Sequence, residues 1–147
     1  MSYNTKATEQ VAILGVINPS SQVAGAAVSG WISAADYQQF LAIVQTGVLG
    51  TAATVDAKIQ QATDSSGTAA KDVTGAALAQ IVKATGDNVQ AEINLNTQQL
   101  DVEGGFDYIQ LSVTVGTATS ITAAQLLGFS PRFSPPTNAA SVVQVVG

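Results

Sequence analysis

The stretch TVDAKIQQATDSSGTAAKDV, residues 54–73, decides the fold class. Its first seven residues alternate: Val55, Ala57 and Ile59 share one face, and Thr54, Asp56, Lys58 and Gln60 share the other. Period-2 alternation puts successive side chains on opposite sides of an extended chain, so this is a strand with one buried face. Asp-Ser-Ser-Gly follows at residues 64–67. An Asp that accepts backbone hydrogen bonds in an Asx-turn and a Gly able to take a positive φ make a tight bend of that cluster, closing a hairpin. The rival reading of Ser65 and Ser66, a hydroxyl nucleophile beside Asp64, needs a base. The chain has no histidine, and Lys71 stands in a turn-rich segment with no sign of the desolvation that would let it lose its proton.

The same alternation recurs on the C-terminal side. In residues 88–96, Val89, Ala91, Ile93 and Leu95 oppose Asn88, Gln90, Glu92, Asn94 and Asn96. In residues 107–115, Ile109, Leu111, Val113 and Val115 oppose Tyr108, Gln110, Ser112 and Thr114. Residues 40–45 and 119–127 are apolar, bounded by Gly and of strand length, and predict two further strands. In residues 76–85, AALAQIVKAT, the spacing of Leu78, Ile81 and Val82 predicts a short helix. Gly/Asn/Asp/Ser clusters separate these segments, and no repeat of fixed period is present. Strands every ten to twenty residues, roughly, with such punctuation predict an all-β chain, mainly an antiparallel β-sandwich or small barrel, with at most one short helix. The ends lack a sustained period, and Pro131, Pro135 and Pro136 favour extended backbone. The expected organisation is therefore an extended N-terminal arm over 1–30, a β-sandwich core over 31–130 and a Pro-rich C-terminal arm over 131–147, the arms lying along a neighbouring subunit.

Composition narrows the function. Of the 147 residues 46% are hydrophobic, yet only 5% are aromatic and 10% charged, the last well below the roughly 25% of ordinary soluble domains. A surface so poor in charge gains little solubility from electrostatics, which points to partial cover by a partner or by copies of the chain. A net charge of −5, with Lys6, Lys58, Lys71, Lys83 and Arg132 as the cations, does not suit a run of phosphates, so no nucleic-acid partner is expected. The absence of Cys excludes disulfides and thiolate metal sites, and the absence of His removes the commonest general base and metal ligand. The longest apolar run, VAILGV at residues 11–16, is far short of a membrane span, and with Glu9 before it makes a poor secretory leader. No membrane partner is expected.

Other candidate sites read as structure first. DVEGGFD, residues 101–107, spaces Asp101, Glu103 and Asp107 like part of a calcium loop but lacks the remaining oxygen ligands, so a turn is the stronger reading. Trp31 and Tyr37 flank the start of the core and read as packing anchors before glycan platforms. No acid lies in an apolar context that would raise its pKa for glycoside cleavage. No phosphate-cradling glycine loop is present. The expectation is no catalytic, cofactor-binding or metal-binding residue, and no enzymatic activity.

Residues 51–120 resemble a family of small tailed-bacteriophage and prophage virion structural proteins. The resemblance is carried by an ATVDAKIQQ strand, a DSSGT turn, an acidic loop before an aromatic, and a YIQLSVTVGT strand ending in Gly, and it spans about half the chain. It implies a structural component of a phage particle, made in the host cytoplasm. The role it implies is a capsid decoration or cement protein on the capsid exterior, often trimeric, whose partners are the major capsid protein and itself. It carries over no catalytic residue. The competing readings are a head or tail appendage that binds host-surface glycan through Trp31, Tyr37 or Tyr108, a tail or head-completion component, and an enzyme working with Asp101, Glu103 and Asp107 alone.

Overall fold

The computed structural model describes residues 4–147, and the alternating stretch over 54–60 lies in its strand β5 (Thr54–Ala62). Along it Val55, Ala57 and Ile59 are buried while Thr54, Asp56, Lys58 and Gln60 are half-exposed. The other strands are β1 (Val11–Gln22), β2 (Gly25–Val28), β3 (Ile32–Ser33), β4 (Tyr37–Thr46), β6 (Lys71–Ala77), β7 (Ile81–Val82), β8 (Gln90–Asn96), β9 (Tyr108–Gly116) and β10 (Ser120–Pro131). They form two antiparallel sheets, ordered β1-β10-β4-β8 and β2-β9-β5-β6, with β3 also pairing β9 and β7 also pairing β5. The chain is all-β, as its alternation predicts, and the sheets pack face to face as a sandwich.

The core lies between the sheets. Phe40, Val44, Leu126 and Ala42 from one sheet meet Ile59, Val55, Ile109, Leu111 and Val113 from the other, all essentially without solvent contact. Full burial of such a side chain contributes about 1.5–3 kcal/mol relative to leaving it exposed. Gln22 stitches the corner where the chain leaves the first sheet for the second. Its Oε1 accepts from the Thr122 hydroxyl at 2.8 Å, and its Nε2 donates to the Gly25 carbonyl at 2.9 Å.

Three expectations need correction. The N-terminal segment is extended but is not an arm: β1 pairs with β10 from Val11 to Gln22, β2 pairs with β9, and Ala12 and Ile17 enter the core. Register shifts between Ile13 and Gly15 and between Ile17 and Ser20 break the period of β1, which is why alternation failed to reveal it. The Pro-rich segment also folds back on its own chain. The Asn138 side chain accepts from the Ile13 N–H at 2.9 Å, the Ala139 N–H donates to the Ile13 carbonyl at 2.7 Å, and Lys6 Nζ donates to the Gly147 carbonyl at 2.6 Å. The helix expected over 76–85 is instead the end of β6, the short β7 and a single turn α1 (Lys83–Gly86). Leu78 and Ile81, the residues with helical spacing, pack on the core from extended backbone and the strand β7 pairs with β5.

Candidate interaction surfaces

The Asp64 cluster is a turn anchored on Trp31. Asp64 Oδ1 accepts from the Ser66 N–H at 2.9 Å and the Thr68 N–H at 3.1 Å, and the Gly67 N–H donates to the Asp64 carbonyl at 3.1 Å. Hydrogen bonds from Thr68, side chain first and backbone second, hold the Asp64 carboxyl below the usual carboxylate range. Gly67 has φ +81°, and a Cβ there would run into the Trp31 indole at Nε1 and Cε2. The turn thus needs glycine twice, for its backbone and for the ring lying against it. Ser65 and Ser66 are exposed, and Lys71 Nζ is held 2.6 Å from Asp101 Oδ2 and 4.1 Å from the centroid of Phe106, turned to the acidic loop and not to either hydroxyl.

The acidic loop is built the same way. Asp101 Oδ1 accepts from the Gly104 N–H at 3.0 Å while Oδ2 takes Lys71, so both oxygens are engaged, and Lys71 first and Gly104 second hold its carboxyl below the usual range. The Asp101 N–H donates to the buried Gln61 side chain at 2.8 Å, tying the loop to β5. Asp107 and Glu103 stay exposed, and among the described residues no three His, Cys, Asp or Glu gather as a metal site.

The three aromatic glycan candidates do not converge. Tyr37 is buried, its ring tilted against Phe40 at 6.0 Å, and burial first and Asp36 second push its phenol above the ordinary value. Trp31 and Tyr108 lie on the outer face of the second sheet, since their neighbours Ile32 and Ile109 pair with each other and face the core. Trp31 is half-buried against the 64–67 turn, which makes it a packing anchor. Beside these, β5 and β9 present Asp56, Lys58, Gln60 and Thr114, with Gln110 and Ser112 buried among them, a polar face braced by Lys58–Asp72 at 2.9 Å and by the Gln80 amide donating to Asp56 at 2.9 Å.

The surface that sequence reasoning missed is the outer face of the first sheet. Register aligns Ile13, Leu127 and Leu41 side by side across β1, β10 and β4, with Val11 and Phe129 in the next row on one side and Val16 and Ile43 on the other. Each is only half-buried, while the intervening Ala12, Leu126, Ala42 and Phe40 point into the core. This sheet is therefore apolar on both sides over its middle, with Gln39, Gln125, Asn94, Glu92 and Asn96 around the stripe. The legible signal was apolar residues of both parities in VAILGV and FLAIV.

No protein-family model matches the chain, and no curated protein does. Among solved structures it has a partial likeness to the cowpea mosaic virus top component, naturally occurring empty particles, at 8% identity and TM-score 0.47 over 90% of this chain and 91% of that one. Likeness to a CBM4 structure is at 15% identity and TM-score 0.46 over 71% of this chain and 61% of that one, so the chain spans about three fifths of that protein. A CBM22-1 xylan-binding domain from Paenibacillus barcinonensis is similar at 11% identity and TM-score 0.41, over 84% and 91%. Likeness at this level concerns β-rich layout and transfers no function.

Proposed function

We propose that this chain is a non-enzymatic structural protein of a phage particle, a capsid decoration or cement protein that seats the outer face of the β1-β10-β4-β8 sheet on the capsid shell. The observation that carries the reading is the apolar stripe through Ile13, Leu127 and Leu41, a second buried-type surface on a sheet that already has a core on its other side. Antiparallel sheets in isolated domains ordinarily keep one face for the core and one for water. Three of the five cations are engaged with carboxylates, Lys58 with Asp72, Lys71 with Asp101 and Lys83 with Asp87, so the face is set for attachment by apolar area and shape. The resemblance of residues 51–120 to virion proteins supplies the particle as the partner.

The experiment is co-sedimentation with purified capsids that lack the protein. Binding should persist when salt is raised to about 1 M, where the Debye length is about 3 Å. Leu127→Glu should abolish it while leaving the fold intact, because that side chain is already partly in water. Wild-type protein that ignores capsids, or Leu127→Glu protein that binds as well as wild type, would overturn the reading.

A further inference from the structure

One end of the sandwich carries an exposed cation and an exposed aromatic ring in adjacent positions. Phe133 is 69% exposed, and the Arg132 guanidinium lies 5.9 Å from its ring centroid. Among the described residues Arg132 makes no ion pair, unlike Lys58, Lys71 and Lys83. The backbone beneath is fixed, since the Arg132 N–H donates to the Asp36 carbonyl at 2.7 Å. An arginine beside an exposed aromatic is the composition of an interface anchor.

The same end carries a surface of complementary character. An open groove of ≈ 420 Å³ runs between residues 34–38 and 97–107, with Leu100, Val102 and Phe106 as its apolar lining and Asp107 at its edge. Val102 is 70% exposed, and the Asp107 carboxylate has no ion-pair partner among the described residues. Around the groove Asp101, Glu103 and Asp107 stand against the single ammonium of Lys71, so its surroundings are acidic. Its volume lies within the roughly 300–1,000 Å³ of ligand pockets. Tyr37 lines this groove and also the neighbouring one that contains Phe133, which places anchor and groove side by side.

From this complementarity we infer that the occupant of the groove is a second copy of the chain: Phe133 of one copy enters between Val102 and Phe106 of the other, and Arg132 pairs with Asp107. Anchor and groove sit together at one end, so a rotation that brings the anchor of one copy to the groove of another closes the assembly, as a symmetric pair or a small ring. The contact accounts for the two large apolar side chains exposed there, Phe133 and Val102, and for an unpaired cation and an unpaired carboxylate. It stands apart from capsid attachment, which uses the face of a sheet and not this end.

The test measures the mass of the full chain by light scattering and native mass spectrometry, with dissociation constants from dilution. Wild type should form one closed oligomer of the 14.9 kDa chain. Phe133→Ala should weaken association about tenfold or more, the loss of an anchor residue. Arg132→Asp and Asp107→Arg should each weaken it, and the double exchange should restore it, a rescue that loss of folding cannot imitate. A monomeric wild type, Phe133→Ala protein that associates like wild type, or failure of the double exchange would each overturn the inference. Capsid co-sedimentation of the Phe133→Ala protein separates the two claims, because a weakened oligomer that still binds capsids leaves capsid attachment standing.

Discussion

Replacing Gly67 by Ala tests how the turn after β5 is held against Trp31. The substitution forces an L-residue to φ +81° and drives its Cβ into the Trp31 indole. The left-handed backbone costs about 1–2 kcal/mol, and displacing a packed ring adds about 1–3 kcal/mol, for a sum of roughly 2–5 kcal/mol. Gly105→Ala supplies the control, for its φ is +79° but nothing lies within 4 Å of its Cβ position. It should therefore suffer the backbone cost alone. The gain from a stiffer unfolded chain, about 0.4–1 kcal/mol, applies to both and cancels in the difference. Urea unfolding followed by the fluorescence of Trp31, the chain's one tryptophan, reads both stability and the ring's surroundings. Gly67→Ala should lose at least about 1 kcal/mol more than Gly105→Ala and shift the native emission. Equal losses with unchanged emission would refute the argument that the turn rests on Trp31.

Two further outcomes are expected. Asp64, Asp72, Asp87 and Asp101 have carboxyls held below the ordinary range, Asp64 first by Thr68 and the others first by Lys58, Lys83 and Lys71. A depressed folded value gives stability that is present above the unfolded value of about 4 and is lost as pH falls through the folded one. Thermal melts should thus be flat near neutrality and fall below about pH 4, and Asp64→Asn, which keeps the acceptor but does not titrate, should make the fall shallower; an unchanged acid limb would contradict the assignment. Parity along β10 should also govern stability. Leu126→Ala empties a fully buried site and should cost about 2–5 kcal/mol in urea melts, whereas Leu127→Ala, on the outer face, should cost about 1 kcal/mol or less.

How far the sequence discloses this molecule depends on whether each strand has one wet face. β5, β8 and β9 are legible because polar residues such as Lys58, Glu92 and Thr114 alternate with buried ones. β1 is illegible because Val11, Ile13 and Val16 are apolar on its outer side while Ala12 and Ile17 fill its inner one, and two register shifts break the phase. The helical spacing of Leu78 and Ile81 misleads because a bent, extended segment can offer the same residues to a core. The turn chemistry of Asp64 to Gly67 was local and so was readable, whereas Trp31 beneath it comes from a distant segment of the chain. The doubled parity of VAILGV and FLAIV hinted at the apolar stripe, but its assembly was hidden because it arises from register between strands far apart in sequence, and the Phe133 end was hidden because distant segments of the chain meet there.

The position of β10 has a consequence for biosynthesis. Among the described residues it comes last of the ten strands in sequence, yet it lies between β1 and β4. On the ribosome the first sheet therefore lacks its middle until residues 120–131 have emerged, and Ile13, Leu41 and Phe40 wait without their partners. Closure across so long a separation is the slow kind, in the range of about milliseconds to seconds for all-β sandwiches. During that interval the first strand stands open to neighbouring nascent chains. The chain's scarcity of charge gives it little protection then, so its yield should depend on how quickly β10 is delivered.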